Sequence, residues 1–94
     1  MRRKGKVDAN QKVIVESLRK IPGISVAITS SLGHGYPDLN IGYKGQTFLV
    51  ELKDGAKSAS QKKLKPDQEK FKKEWTGGYY VAENFDQVLK IIGL

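Results

Sequence analysis

The stretch from Tyr36 to Lys53, YPDLNIGYKGQTFLVELK, leaves little choice of local fold. Leu39, Ile41 and Tyr43 alternate with small or polar residues, and so do Phe48, Val50 and Leu52. Period-two alternation on both sides of Lys44-Gly45 reads as two antiparallel strands joined by a two-residue turn, the glycine being free to take positive φ. That turn length sets the register. Tyr43 falls opposite Gln46, Ile41 opposite Phe48 and, carried outward, Asp38 opposite Glu51. Directly opposed side chains share a sheet face with Cβ atoms roughly 4.5–5.5 Å apart. Two carboxylates so placed repel, and a divalent cation removes the conflict by taking both into one coordination shell. Lys53 lies two residues beyond Glu51 and points to the same face. The hairpin therefore presents an acid–acid–base cluster on one side and an apolar surface on the other.

The remaining segments supply elements to pack against that hairpin. Asp8 is placed to cap a helix running to about Lys20, with Ile14, Leu18 and Ile21 as its apolar stripe and Pro22-Gly23 as its stop. Counting back by three from Ile14 puts Gln11 on the inward stripe, whereas Glu16 points roughly the opposite way. Ile24 to Ile28 reads as a short strand. A polar loop containing Ser30, Ser31, Gly33, His34 and Gly35 leads into the hairpin, and its glycines allow close backbone approach. Asp54 to Lys63 reads as a polar loop. Pro66 suits the first position of a helix, with Asp67 and Glu69 favourable near its N-terminus. Phe71 and Trp75 are expected to be its buried residues, and Leu64 and Gln68 fall on the same line. Gly77-Gly78 ends it, and Tyr79 to Ala82 reads as a last strand. Asn84 and Gln87 open a final helix with the stripe Phe85, Val88, Leu89 and Ile92, closed by Gly93. The expected fold is α/β: a small mixed β-sheet with a central antiparallel hairpin, flanked by helices in the order α-β-β-β-α-β-α.

A chain of 94 residues makes one small domain, taken as residues 7–94 after a basic flexible arm at 1–6. The absence of cysteine excludes a disulfide framework and a thiolate metal site. No apolar run reaches membrane-spanning length, so a soluble, cytoplasmic protein without a membrane partner is expected (in the host-cell cytoplasm for a viral one). The formal charge of +7 is unevenly placed: seven lysines lie between Lys57 and Lys73, against Asp67 and Glu69. This asymmetry favours a polyanionic partner, with a plain solvated surface as the competing reading.

Nucleic acid and a carboxylate pair together suggest phosphodiester hydrolysis. Mg²⁺ commonly takes one or two carboxylates plus waters and substrate oxygens, and Mn²⁺ would substitute. Asp38 and Glu51 match that count, and the carbonyl of Leu52 is a third oxygen in reach. Lys53 would orient water or steady the negative phosphate.

Pro37-Asp38, then Glu51-Leu52-Lys53, resembles the core motif of the PD-(D/E)XK nuclease superfamily. Taken with Gly35-Tyr36 before Pro37 and with Leu64-Lys65-Pro66-Asp67-Gln68, the pattern more narrowly resembles the virus-type replication-repair nuclease (VRR-NUC) domain, over about Val7 to Leu94. The resemblance implies a restriction-endonuclease-like fold, with Asp38 and Glu51 as metal ligands, Lys53 as the catalytic lysine and Gln68 as an amide supporting them or binding water. Many superfamily members carry an acidic residue on the first helix. Here the inward position is Gln11, which is taken as the contributor, with Glu16 on the surface. Stand-alone members resemble homodimeric endonucleases acting on branched DNA, including four-way (Holliday) junctions, in DNA repair or replication. Lys57, Lys62, Lys63, Lys65 and His34 are the expected DNA contacts. The alternatives are a non-enzymatic basic nucleic-acid-binding module and a nuclease preferring flaps or ends.

Overall fold

A computed structural model describes residues 9–94; the expected arm at 1–6 and the Asp8 cap lie outside the described residues. Four strands, β1 (Ile24–Ile28), β2 (Leu39–Tyr43), β3 (Gln46–Leu52) and β4 (Tyr79–Ala82), form one sheet in that spatial order. The pairs β1–β2 and β2–β3 are antiparallel, and β3–β4 is parallel. The helices are α1 (Ala9–Arg19), α2 (Ala59–Lys62), α3 (Pro66–Glu74) and α4 (Phe85–Ile92). This is the mixed sheet flanked by helices that the patterning requires.

The hairpin register is the expected one. Tyr43 pairs with Gln46, Ile41 with Phe48 and Leu39 with Val50. Both turn residues are left-handed, Lys44 at φ 52° and Gly45 at φ 79°, as a two-residue hairpin loop with the right-handed twist of its strands requires. Lysine is strained there, although its Nζ lies over the Tyr43 ring at 5.3 Å from the centroid. Replacing Lys44 by glycine relieves about 1 kcal/mol of backbone strain and loses a contact of about 0.5–1 kcal/mol, so the urea midpoint is expected to shift little, whereas Lys44→Ala, which keeps the strain and loses the contact, is expected to lower it.

One sheet face carries the core. Leu39, Ile41, Phe48, Val50, Leu52 and Ala82 meet Ile14, Val15 and Leu18 of α1 and Val88 and Ile92 of α4 in one buried cluster. Phe85 and Leu89 pack against its edge, as their place on the α4 stripe implies. The Asn84 side chain caps α4 by accepting from the Gln87 N–H at 2.8 Å, and Gly93 closes it at φ 97°.

Two expectations need correcting. The segment from Asp54 to Lys63 is not all loop, because Ala59–Lys62 forms α2. The Gln61 side chain reaches back to the Ser58 N–H at 3.3 Å, so a local cap supports this turn without any buried residue. Phe71 and Trp75 are not core. None of the residues of α3 is buried, and Trp75 is 42% exposed. They stack on each other at 5.2 Å, and Phe71 also meets Tyr36 and Tyr79. The reason is geometric: α3 lies over the acidic face of the sheet, where polar side chains occupy the space a full apolar interface would need.

Candidate active site

Continuing the ladder one step beyond Leu39 and Val50 brings Asp38 beside Glu51. Backbone geometry holds Asp38 there. Thr29, one residue past β1, donates its N–H to the Asp38 carbonyl at 2.8 Å and its hydroxyl to the Pro37 carbonyl at 2.7 Å. The Asp38 carboxylate in turn accepts the Leu52 N–H at 2.9 Å. Lys53, the next residue, donates its N–H the other way, to Ala82 of β4 at 2.9 Å. Since N–H and C=O of one strand residue point to the same side, the Leu52 carbonyl also lies on the Asp38 side.

Glu51 is buried, with 3% of its surface exposed. One oxygen, Oε2, accepts from Gln68 Nε2 at 3.0 Å and lies 3.7 Å from Lys53 Nζ. The other, Oε1, is buried and has no hydrogen-bond partner. Burial pushes the Glu51 carboxyl up from 4.5 to about 8, reinforced by the negative charge of Asp38, against the opposing pull of Lys53.

Gln68 joins the hairpin to α3. Its Oε1 accepts from Lys53 Nζ and from the backbone N–H of Lys65, both at 2.9 Å, which directs its Nε2 to Glu51. The amide thus holds the base and the acid at once, and its orientation follows from the first turn of its own helix.

Gln11 sits on the inward face of α1, 4% exposed, while Glu16 is on the surface. Gln11 Nε2 donates to Ser30 Oγ at 3.2 Å, next to the Thr29 that braces Asp38. Among the expected DNA contacts, Lys57, Lys63 and Lys65 are exposed. Lys62 is half-buried and paired with Glu83 at 3.3 Å. His34 is exposed at φ 57° and opens onto a hollow of about 300 Å³ shared with Asp67, Lys70, Phe71 and Glu74.

Thr29 and Tyr79 are site residues that motif reading passes over. Thr29 is visible in the register, since the β1–β2 ladder extended by one step pairs it with Asp38. Tyr79 shares the acidic face, and its hydroxyl is buried without a partner. Burial, then the charges of Glu51, Asp38 and Glu69, pushes it up to about 12, so it stays a neutral donor.

The donor set fits a hard divalent cation. A carboxylate oxygen buried without a donor, beside a second carboxylate, is costly unless neutralised. No group of three or more His, Cys, Asp or Glu able to hold a metal occurs among the described residues. Asp38, Glu51 and the Leu52 carbonyl would leave most of a coordination shell to water and substrate, which is the usual arrangement for Mg²⁺.

A four-stranded mixed sheet with helices on both sides, and a carboxylate pair at its central hairpin, defines a restriction-endonuclease-like α/β domain. A solved structure described as a VRR_NUC domain is similar to it, with 31% identity over 87% of this chain and 88% of that chain and a TM-score of 0.58. The chain belongs to the VRR-NUC nuclease-domain family. No family model and no curated protein matches it.

Proposed function

We propose that the protein is a Mg²⁺-dependent DNA endonuclease that hydrolyses phosphodiester bonds in branched DNA. The observation carrying this reading is the Asp38–Glu51 pair, with Glu51 buried and tied through Gln68 to Lys53, in a chain of a nuclease-domain family. Asp38, Glu51 and the Leu52 carbonyl would hold the ion, which when bound supplies Lewis-acid activation of the phosphate and a more acidic water. The chain's own residues do the rest. Lys53, its ammonium held by Gln68 and near Glu51 Oε2, presents a positive point charge to the phosphate oxygens or orients the attacking water. Gln68 fixes both partners so that neither must reorganise during reaction. Gln11 supports the wall behind Asp38 through Ser30. The exposed Lys57, Lys63 and Lys65 contact backbone phosphates without reading bases, so binding falls steeply with salt.

Size favours action as a homodimer. The domain is 34 Å in its longest extent, about ten base pairs of duplex at roughly 3.4 Å per step. One copy therefore spans about one arm of a junction, and sedimentation with and without a four-way substrate tests the pairing.

The deciding assay compares labelled linear, flapped and four-way DNA with Mg²⁺ and with EDTA. Cleavage is expected only with the metal, and Lys53→Ala is expected to lower it by about a hundredfold or more while far-UV circular dichroism stays native. Salt-sensitive binding without cleavage of any substrate would instead identify a non-enzymatic binding module. Faster cutting of flaps than of junctions would shift the substrate class and leave the chemistry in place.

A further inference from the structure

Beside Lys53, away from the carboxylates in sequence, a second cavity opens between the end of β3 and α2. It measures about 210 Å³ and is lined by Leu52, Lys53, Asp54, Lys57, Gln61 and Lys65. Its chemistry is one-sided. Three of these residues are lysines, and the single acid is already engaged, Asp54 Oδ1 accepting the Ala56 N–H at 2.9 Å. Among the described residues neither Lys57 nor Lys65 is in an ion pair, in contrast to Lys62, which Glu83 neutralises. Gln61 adds a neutral donor. Its Oε1 takes the Ser58 N–H and hydroxyl at 3.3 Å each, which leaves the amide NH₂ without a hydrogen-bond partner.

The surroundings hold this arrangement in place. The cap between Ser58 and Gln61 shapes α2, and the Lys62–Glu83 pair ties α2 to the residue before the α4 cap. Lys65 opens α3, its backbone N–H bound to Gln68. Lys57, in the segment before α2, and Lys65, just before α3, thus line one space although they come from separate parts of the chain.

Three lysines against one carboxylate leave the lining net positive and favour an anion with several acceptor oxygens. The volume narrows the class. It is below the roughly 300 Å³ at which pockets for drug-sized ligands begin, yet several times the roughly 30 Å³ share of a water molecule. A phosphate group with a few waters fits that volume. Lys53 borders both this cavity and the carboxylate pair, so the two sites share a wall.

We propose that Lys57, Lys65 and Gln61 form a dedicated subsite for one phosphodiester group of the cleaved strand, adjacent to the bond that is cut. This rests on the nuclease reading and sharpens it: one flanking phosphate matters more than the others, in contrast to an even spread of backbone contacts.

The test is a cleavage series on otherwise identical DNA in which a single neutral methylphosphonate is walked past the cut site. One flanking position is expected to slow the wild type by about tenfold or more. In the Lys57→Ala/Lys65→Ala double variant that position is expected to fall back to the level of its neighbours. Both side chains are exposed, and truncating Lys65 keeps the backbone N–H that holds Gln68. The Lys20→Ala/Lys90→Ala double variant, which removes the same two charges at exposed positions, serves as the charge-matched control and is expected to keep the wild-type profile. An even penalty along the strand, or a position-specific penalty that survives in the double variant, overturns the proposal. If the wild type cuts no substrate, the nuclease reading fails, and the subsite is then read by titrating a dinucleoside phosphate and, separately, inorganic phosphate into ¹⁵N-labelled protein. A saturable shift of the Gln61 side-chain amide with the diester, lost in the double variant, upholds the subsite. Absence of any shift, or a shift with inorganic phosphate alone, overturns it.

Discussion

Glu51→Gln is expected to abolish cleavage, by about a thousandfold or more, while making the metal-free protein more stable at high pH. The two effects have one origin. In the metal-free fold the Glu51 carboxyl is raised from 4.5 to about 8 by burial and by Asp38, so the native state keeps a proton that the unfolded chain loses. The stabilisation is complete below about 4.5 and drains away as pH rises to about 8, at up to roughly 1.4 kcal/mol per pH unit. Glutamine occupies the same volume, retains an acceptor for Gln68 Nε2 and carries no charge. Thermal melts in EDTA at pH 5, 7 and 9 should therefore fall for the wild type and change much less for the variant. Adding Mg²⁺ at pH 9 should restore the wild type and leave the variant unmoved, because the ion needs the ionised pair. A wild-type melt flat across that range would show that Glu51 is not held in the protonated form.

Gly35→Ala is expected to damage both the fold and the site. Gly35 lies at φ 78° with its backbone against the start of α3, where a Cβ would run into the carbonyl of Asp67. The obstruction is main chain, so no side-chain rotation relieves it. Either the loop or the first turn of α3 must move, and that turn carries Gln68. The expected cost is about 2–4 kcal/mol, from the left-handed backbone and the overlap together. Activity should fall more than the loss of folded protein explains, since Gln68 would no longer hold Lys53 and Glu51. Urea unfolding with parallel cleavage assays on the folded fraction separates the two.

Why some of this was legible from residues alone, and some was not, follows from the range of the interactions. The Asp38–Glu51 pairing is local arithmetic, because a two-residue turn and a period of two leave one register. Gln11 inward and Glu16 outward follow from helical phase. Gln68 could be placed on a line, but its double grip on Lys53 and Glu51 depends on the backbone N–H of Lys65 and on α3 crossing that face. Periodicity tells which residues of α3 lie together and not what covers them, so Trp75 reads as core and is exposed. The α2 turn has no apolar stripe to reveal it. Its signal is the Ser58–Gln61 spacing, the same cap signature that marks Asn84–Gln87. The neutralisation of Lys62 by Glu83 joins residues 21 positions apart and is beyond any local pattern.

Whether the tight turn that brings Asp38 beside Glu51 lets the two share a cation is tested most directly by anomalous diffraction from crystals soaked in Mn²⁺. The expected result is a peak between the two carboxylates, about 2.1 Å from an oxygen of each and absent in Asp38→Asn. An ordered hairpin with no peak at that position, at a manganese concentration that supports cleavage, would contradict a shared cation.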